Sequence, residues 1–64
     1  MVKNKASIES ALRQGKIVFA ECKIDGKLYS ELVVRNVRKQ THEVQVLILE
    51  GWKFPKRVYL DGEQ

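Results

Sequence analysis

The spacing of apolar residues along this chain changes once, after its first quarter. In the first part, Ile8 and Leu12 are four residues apart, which places them on one face of a helix. Ser7 is a candidate N-cap and Gly15 a candidate C′ residue, so the pattern predicts a helix over about residues 7–14. A helix of two turns is marginal alone, and we expect it to pack on a sheet.

From there onward apolar and polar positions alternate, a period of two that is typical of β-strands. The alternation and its interruptions predict four strands, over about residues 16–24, 27–37, 42–50 and 56–60. In the first of them, Val18, Ala20 and Cys22 share one face, and we expect that face to lie in the core.

The first two predicted strands meet at Asp25-Gly26, a strong hairpin signal. A two-residue loop would set Cys22 opposite Tyr29 and so pair a core position with a solvent-facing one. A three-residue loop that also includes Ile24, with a type I turn and a bulge, sets Cys22 opposite Leu28 instead. We therefore predict the three-residue loop.

Together these elements predict one small, mainly β (α+β) domain, with a short N-terminal helix before a strongly bent antiparallel sheet of four or five strands. A chain of 64 residues forms one domain with a thin core. Such a sheet can curl into an open barrel of the SH3 or Sm kind. The element order resembles Sm-like RNA-binding barrels, but the Gly and Asp/Asn pattern of the Sm core does not line up, so we assign no family.

Catalytic and metal-binding patterns are missing from the sequence. Cys22 is the only cysteine and His42 the only histidine, so the chain has neither an intrachain disulfide nor a Cys/His zinc tetrad. The acidic residues are scattered, and each glycine stands apart from the others. We therefore predict a protein that is not an enzyme, with no catalytic residues, no cofactor and no metal.

Positive charge is concentrated in the second half of the chain. The net charge is +4, and residues 35–57, with six basic and two acidic residues, also sum to +4. Such a segment favours an anionic partner, most often DNA or RNA. The sequence predicts a nucleic-acid-binding surface in which cations meet phosphates and an aromatic ring stacks on bases. Its residues are Tyr29, Arg35, Arg38, Lys39, Trp52, Lys53, Lys56 and Arg57.

Two alternatives stay open at this point. The aromatic residues near Trp52 can instead pack under the sheet and complete the core. Apolar residues on both faces of the strands, such as Val33 and Leu49, also fit a protein-interaction module: a small inhibitor, an accessory factor or a homo-oligomeric subunit.

No apolar stretch is long enough for a signal peptide or a membrane span. A lone free thiol also suits a reducing compartment. We therefore expect a cytoplasmic protein with no membrane partner.

Overall fold

A computed structural model describes residues 4–62, which form one short helix and two antiparallel sheets of three strands each. The elements are α1 (Lys5–Arg13), β1 (Val18–Ile24), β2 (Lys27–Val33), β3 (Asn36–Gln40), β4 (Glu43–Ile48), β5 (Gly51–Lys53) and β6 (Pro55–Leu60). The predicted mainly β class with a short N-terminal helix is therefore confirmed. The predicted strand over 27–37 is divided by a bend, and β5 is a strand that the sequence analysis did not identify. Within residues 4–62, no helix is long and apolar enough to cross a bilayer.

The two sheets have the strand orders β2-β1-β6 and β3-β4-β5, and the chain passes between them at two corners. At the first corner, the Val34 N–H donates to the Val18 carbonyl in the first sheet, at 2.9 Å. The next N–H, that of Arg35, donates to the Leu47 carbonyl in the second sheet, at 2.8 Å. The second corner is Phe54, between β5 and β6. At each corner the strand pairing passes from one sheet to the other within one or two residues.

One hydrophobic core lies between the sheets and α1. It contains Ile8, Ala11, Val18, Ala20, Cys22, Val34, Val37, Val46, Ile48 and Val58, all buried. The predicted core face of β1 is therefore confirmed. Ile8 is the largest fully buried side chain of α1, and burying such a side chain contributes about 1.5–3 kcal/mol. This contact is the main anchor of a helix that would be marginal alone.

The ends of α1 confirm one predicted cap and correct the other. The N-cap is Asn4, whose side-chain Oδ1 accepts the Ser7 N–H at 2.8 Å. Ser7 is therefore inside the helix, and the prediction that it caps α1 was wrong, because an asparagine three residues earlier is an equally good cap. At the other end Gly15 has a φ of 77° and donates its N–H to the Leu12 carbonyl, as predicted for a C′ glycine.

The β1–β2 hairpin has a two-residue turn, so the predicted three-residue loop was wrong. Ile24 pairs with Lys27, and Asp25 and Gly26 between them have φ values of 52° and 78°. Positive φ at both positions is the type I′ geometry that an Asp-Gly pair favours. With this turn, the predicted core residue Leu28 is 55% exposed.

A bulge in β2, and not the hairpin turn, contains the extra residue that changes which side chains of β2 face the core. Cys22 pairs with Tyr29 whereas Ala20 pairs with Leu32, so β2 contains one more residue than β1 between these pairs. Glu31 lies in this stretch and has a φ of 58°. The bulge places Leu32 opposite the buried Ala20, so the strand returns to the core side beyond the bulge.

Candidate nucleic-acid interface

Three aromatic residues lie on the outer side of the continuous β5–β6 segment, and we call Trp52, Phe54 and Tyr59 the aromatic ridge. Lys53 pairs with the buried Val46, so its neighbour Trp52 is on the outer face. Tyr59 follows the buried Val58 and is on the outer face for the same reason. Phe54 occupies the corner and is 52% exposed. Neither Trp52 nor Phe54 belongs to the core, whereas Tyr59 is buried, so the alternative in which these aromatic residues complete the core holds for Tyr59 alone.

Arg38 is stacked on the first ring of the ridge. Its guanidinium carbon lies 4.3 Å from the Trp52 ring centroid, and its Nε donates to Gln45 Oε1 at 2.8 Å. Arg38 and Gln45 are cross-strand partners, and the neighbouring pair on the same face is Leu47 with Trp52. Gln45 is buried, and the hydrogen bond satisfies its amide oxygen. The guanidinium is thus held in a fixed orientation by a stacking contact and a hydrogen bond.

Arg57 makes a similar contact with the last ring. Its guanidinium carbon lies 4.4 Å from the Tyr59 ring centroid, and one of its terminal nitrogens lies 3.0 Å from Glu21 Oε2. Phe19 packs against the same ring, with centroids 5.7 Å apart, and Tyr59 is only 7% exposed. Tyr59 is therefore covered on the protein surface, and the charge of Arg57 is offset by a carboxylate.

The middle of the ridge is open. Within residues 4–62, no cation or other ring stacks on Phe54, in contrast to Trp52 and Tyr59. Lys56 follows two residues later as the extra residue of a bulge, because Glu21 pairs with Arg57 while Cys22 pairs with Pro55. Bulges redirect side chains, and Lys56 is exposed.

Of the eight residues predicted from the sequence, four lie on or beside the ridge: Arg38, Trp52, Lys56 and Arg57. The other four lie elsewhere. Tyr29 pairs with Cys22 on the edge strand β2, and Arg35 lines a separate apolar cleft. Lys39 pairs with Val44, which places it on the opposite face of β3 from Arg38, and Lys53 is on the inner face of β5. The eight residues therefore do not form one continuous surface, because alternate residues of a strand lie on opposite faces of its sheet. Their role in binding nucleic acid stays a prediction.

Lys53 has an electrostatic role next to the only cysteine. Cys22 is fully buried, and this burial raises the pKa of its thiol above the ordinary value, while the Lys53 ammonium opposes the rise. A thiol in this state stays neutral at neutral pH and is a poor nucleophile. Within residues 4–62, no three His, Cys, Asp or Glu side chains are grouped as metal ligands would be.

Two residues of this interface were missing from the predicted set, Phe54 and Gln45. Phe54 has a signal in the sequence: it lies two residues from Trp52 and directly before Pro55, where the backbone is extended, so both rings point to one side. Gln45 has none, because a polar residue in an alternating strand predicts exposure to solvent. Its burial depends on Arg38, which comes from another strand.

Comparison of the chain with protein families, with curated proteins and with solved structures finds no match.

Proposed function

We propose that this protein binds single-stranded nucleic acid along the aromatic ridge. Phe54 and the face of Trp52 that Arg38 does not cover stack on bases, and Arg38 and Lys56 meet phosphates. The observation that carries the proposal is the half-exposed Phe54 ring, which lies between a guanidinium–indole pair and a bulge lysine. Rings interleaved with cations are the arrangement that single strands require, because each base has a face to stack and each phosphate a charge.

The spacing of the two rings suits successive bases. Trp52 and Phe54 are two residues apart on an extended segment, which separates them by roughly 6.6 Å at about 3.3 Å per residue. Bases in a duplex are stacked on each other and do not offer their faces to such rings, whereas an unpaired strand can open its bases onto them.

The charges on this part of the molecule also support the proposal. Within residues 4–62, the ion pairs are Lys5 with Glu9 and Arg57 with Glu21, so Arg38 and Lys56 have no carboxylate partner. The Nε–H of Arg38 donates to Gln45, and the other N–H groups of the guanidinium can donate to a phosphate oxygen. Because stacking already holds this side chain in place, little side-chain entropy is lost on binding.

Fluorescence anisotropy with labelled single-stranded DNA, single-stranded RNA and duplex DNA at two salt concentrations tests the proposal. We expect the single strands to bind more tightly than the duplex. The logarithm of the affinity should fall with the logarithm of salt concentration with a slope of about −1.4, the value for two neutralised phosphates on a single strand. Trp52 is the only tryptophan, so its fluorescence should change on binding. A flat salt response or a preference for duplex would overturn the proposal.

Matched variants locate the site. Phe54→Ala should weaken single-strand binding about 5- to 150-fold, the cost of one lost base–ring contact of about 1–3 kcal/mol. Ile17→Ala is its control, because Ile17 is exposed to a similar extent, at 50%, but lies before β1, at the opposite end of the sheet from Phe54. Lys56→Glu should also weaken binding, with Lys27→Glu as the charge-matched control. Equal effects of a ridge variant and its control, with circular dichroism confirming that both are folded, would contradict the ridge as the site.

A further inference from the structure

A cleft of about 510 Å³ lies apart from the aromatic ridge, between the β2–β3 corner and the β4–β5 turn. Its apolar lining consists of Leu32, Val33, Ile48 and Leu49. Two of these side chains are far more exposed than apolar residues of a folded domain usually are, Val33 at 54% and Leu49 at 88%. Exposed apolar side chains that gather at one cleft mark an interaction surface.

Leu49 is exposed because of the turn in which it lies. Ile48 pairs with Gly51, so Leu49 and Glu50 alone form the β4–β5 turn. The alternation of apolar residues predicts that Leu49 lies inside a strand over 42–50, and this prediction was wrong because β4 ends at Ile48. Turn positions are usually taken by Gly, Asn, Asp, Pro or Ser, and nothing in the conformation of this turn requires leucine. A large apolar residue at a turn tip is better explained by a contact with another molecule.

The rim of the cleft carries three charged residues, Glu31, Arg35 and Glu50. None of them forms an ion pair within residues 4–62. Their sum is −1 (one basic, two acidic), which leaves +5 on the rest of a chain whose net charge is +4. Across a twofold axis this patch faces an identical patch, so the cation of one copy can lie opposite a carboxylate of the other.

We propose that this cleft docks a second copy of the chain in a twofold-symmetric contact. Leu49 of each copy enters the cleft of the other, and Arg35 of each copy faces Glu50 of the other. The reason is self-complementarity: one patch contains the protruding side chain, the apolar cleft and both members of an ion pair, as a twofold contact requires. A domain with so thin a core also gains stability from association. This contact goes beyond the proposed nucleic-acid binding and uses a different surface.

Sedimentation velocity of the whole chain, without nucleic acid, tests the contact. The patch is small compared with stable interfaces, so the concentration series should extend to about 1 mM. We expect a reversible monomer–dimer equilibrium. Leu49→Asp should raise the dissociation constant by at least about 100-fold, because the dimer loses two buried leucines. Leu28→Asp, at another exposed leucine, is the control and should leave the equilibrium unchanged.

Two results of this experiment would overturn the proposal. The first is a wild-type chain that is monomeric throughout the series, which would leave the cleft to an occupant other than a second copy. The second is a dimer that survives Leu49→Asp or dissociates with Leu28→Asp. Leu49 is at an exposed turn tip, so its substitution should not unfold the domain, and circular dichroism checks this.

Charge reversal tests the predicted register of the two copies. Arg35→Glu and Glu50→Arg should each weaken the dimer about 3- to 10-fold, because each creates two like-charge contacts across the twofold axis. The double variant should recover most of the wild-type affinity, since it restores both pairs with the charges exchanged. Additive weakening in the double variant would overturn the pairing of Arg35 with Glu50.

Discussion

Replacing Glu31 by glycine should make this protein more stable, although glycine normally weakens a strand. Glu31 lies in the β2 bulge with a φ of 58°, a left-handed conformation that costs an ordinary L-residue roughly 1–2 kcal/mol. Glycine adopts it without that cost but loses more chain entropy on folding, about 0.5–1 kcal/mol. The difference leaves a net stabilisation of about 0.5–1 kcal/mol for Glu31→Gly. In a domain of this size, that raises the melting temperature by roughly 2–8 °C.

The assay is thermal unfolding followed by circular dichroism, at a protein concentration low enough to keep the chain monomeric. The matched control is Glu43→Gly, an exposed glutamate at the start of β4 whose φ is not positive. This second variant should lower the free energy of unfolding by about 0.5–1 kcal/mol. The same substitution is thus expected to have opposite signs at the two positions.

A result in which both variants destabilise equally would refute the bulge. It would mean that residue 31 is an ordinary strand residue and that the extra residue of β2 lies in the hairpin turn instead. A third variant, Glu31→Val, adds a test in the other direction. A β-branched residue is strongly disfavoured at positive φ, so this variant should be the least stable of the three, in spite of the high β propensity of valine.

Three further predictions concern the helix and the core. Asn4→Ala should cost about 1 kcal/mol of stability in urea unfolding because α1 loses its N-cap, whereas Ser7→Ala should have little effect. Ile8→Ala should cost about 2–5 kcal/mol in the same measurement, because it opens a cavity where α1 meets the core. For Cys22, burial raises the pKa of the thiol above its ordinary value of 9.0, so the unfolded chain loses its proton first as the pH rises. The free energy of unfolding should therefore fall above pH 9.0, and Cys22→Ala should remove this part of the pH dependence.

The local pattern of the sequence determined a large part of this fold. Alternation in β1 identified its buried face, including Cys22, because side chains of a strand alternate whatever they pack against. Gly15 and Asp25-Gly26 indicated where the helix ends and where the hairpin turns, since both depend on the φ values that single residues tolerate. The concentration of basic residues over 35–57 likewise needed only the sequence.

The tertiary structure decided what depends on two strands at once. The bulge at Glu31, the change of sheet between residues 34 and 35, and the corner at Phe54 are set by which strand lies alongside, and that neighbour comes from a distant part of the chain. Each of them moves later residues to another face or another sheet. For this reason the predicted binding residues separated, with Arg38 beside Trp52 on the ridge and Lys53 inside, next to Cys22.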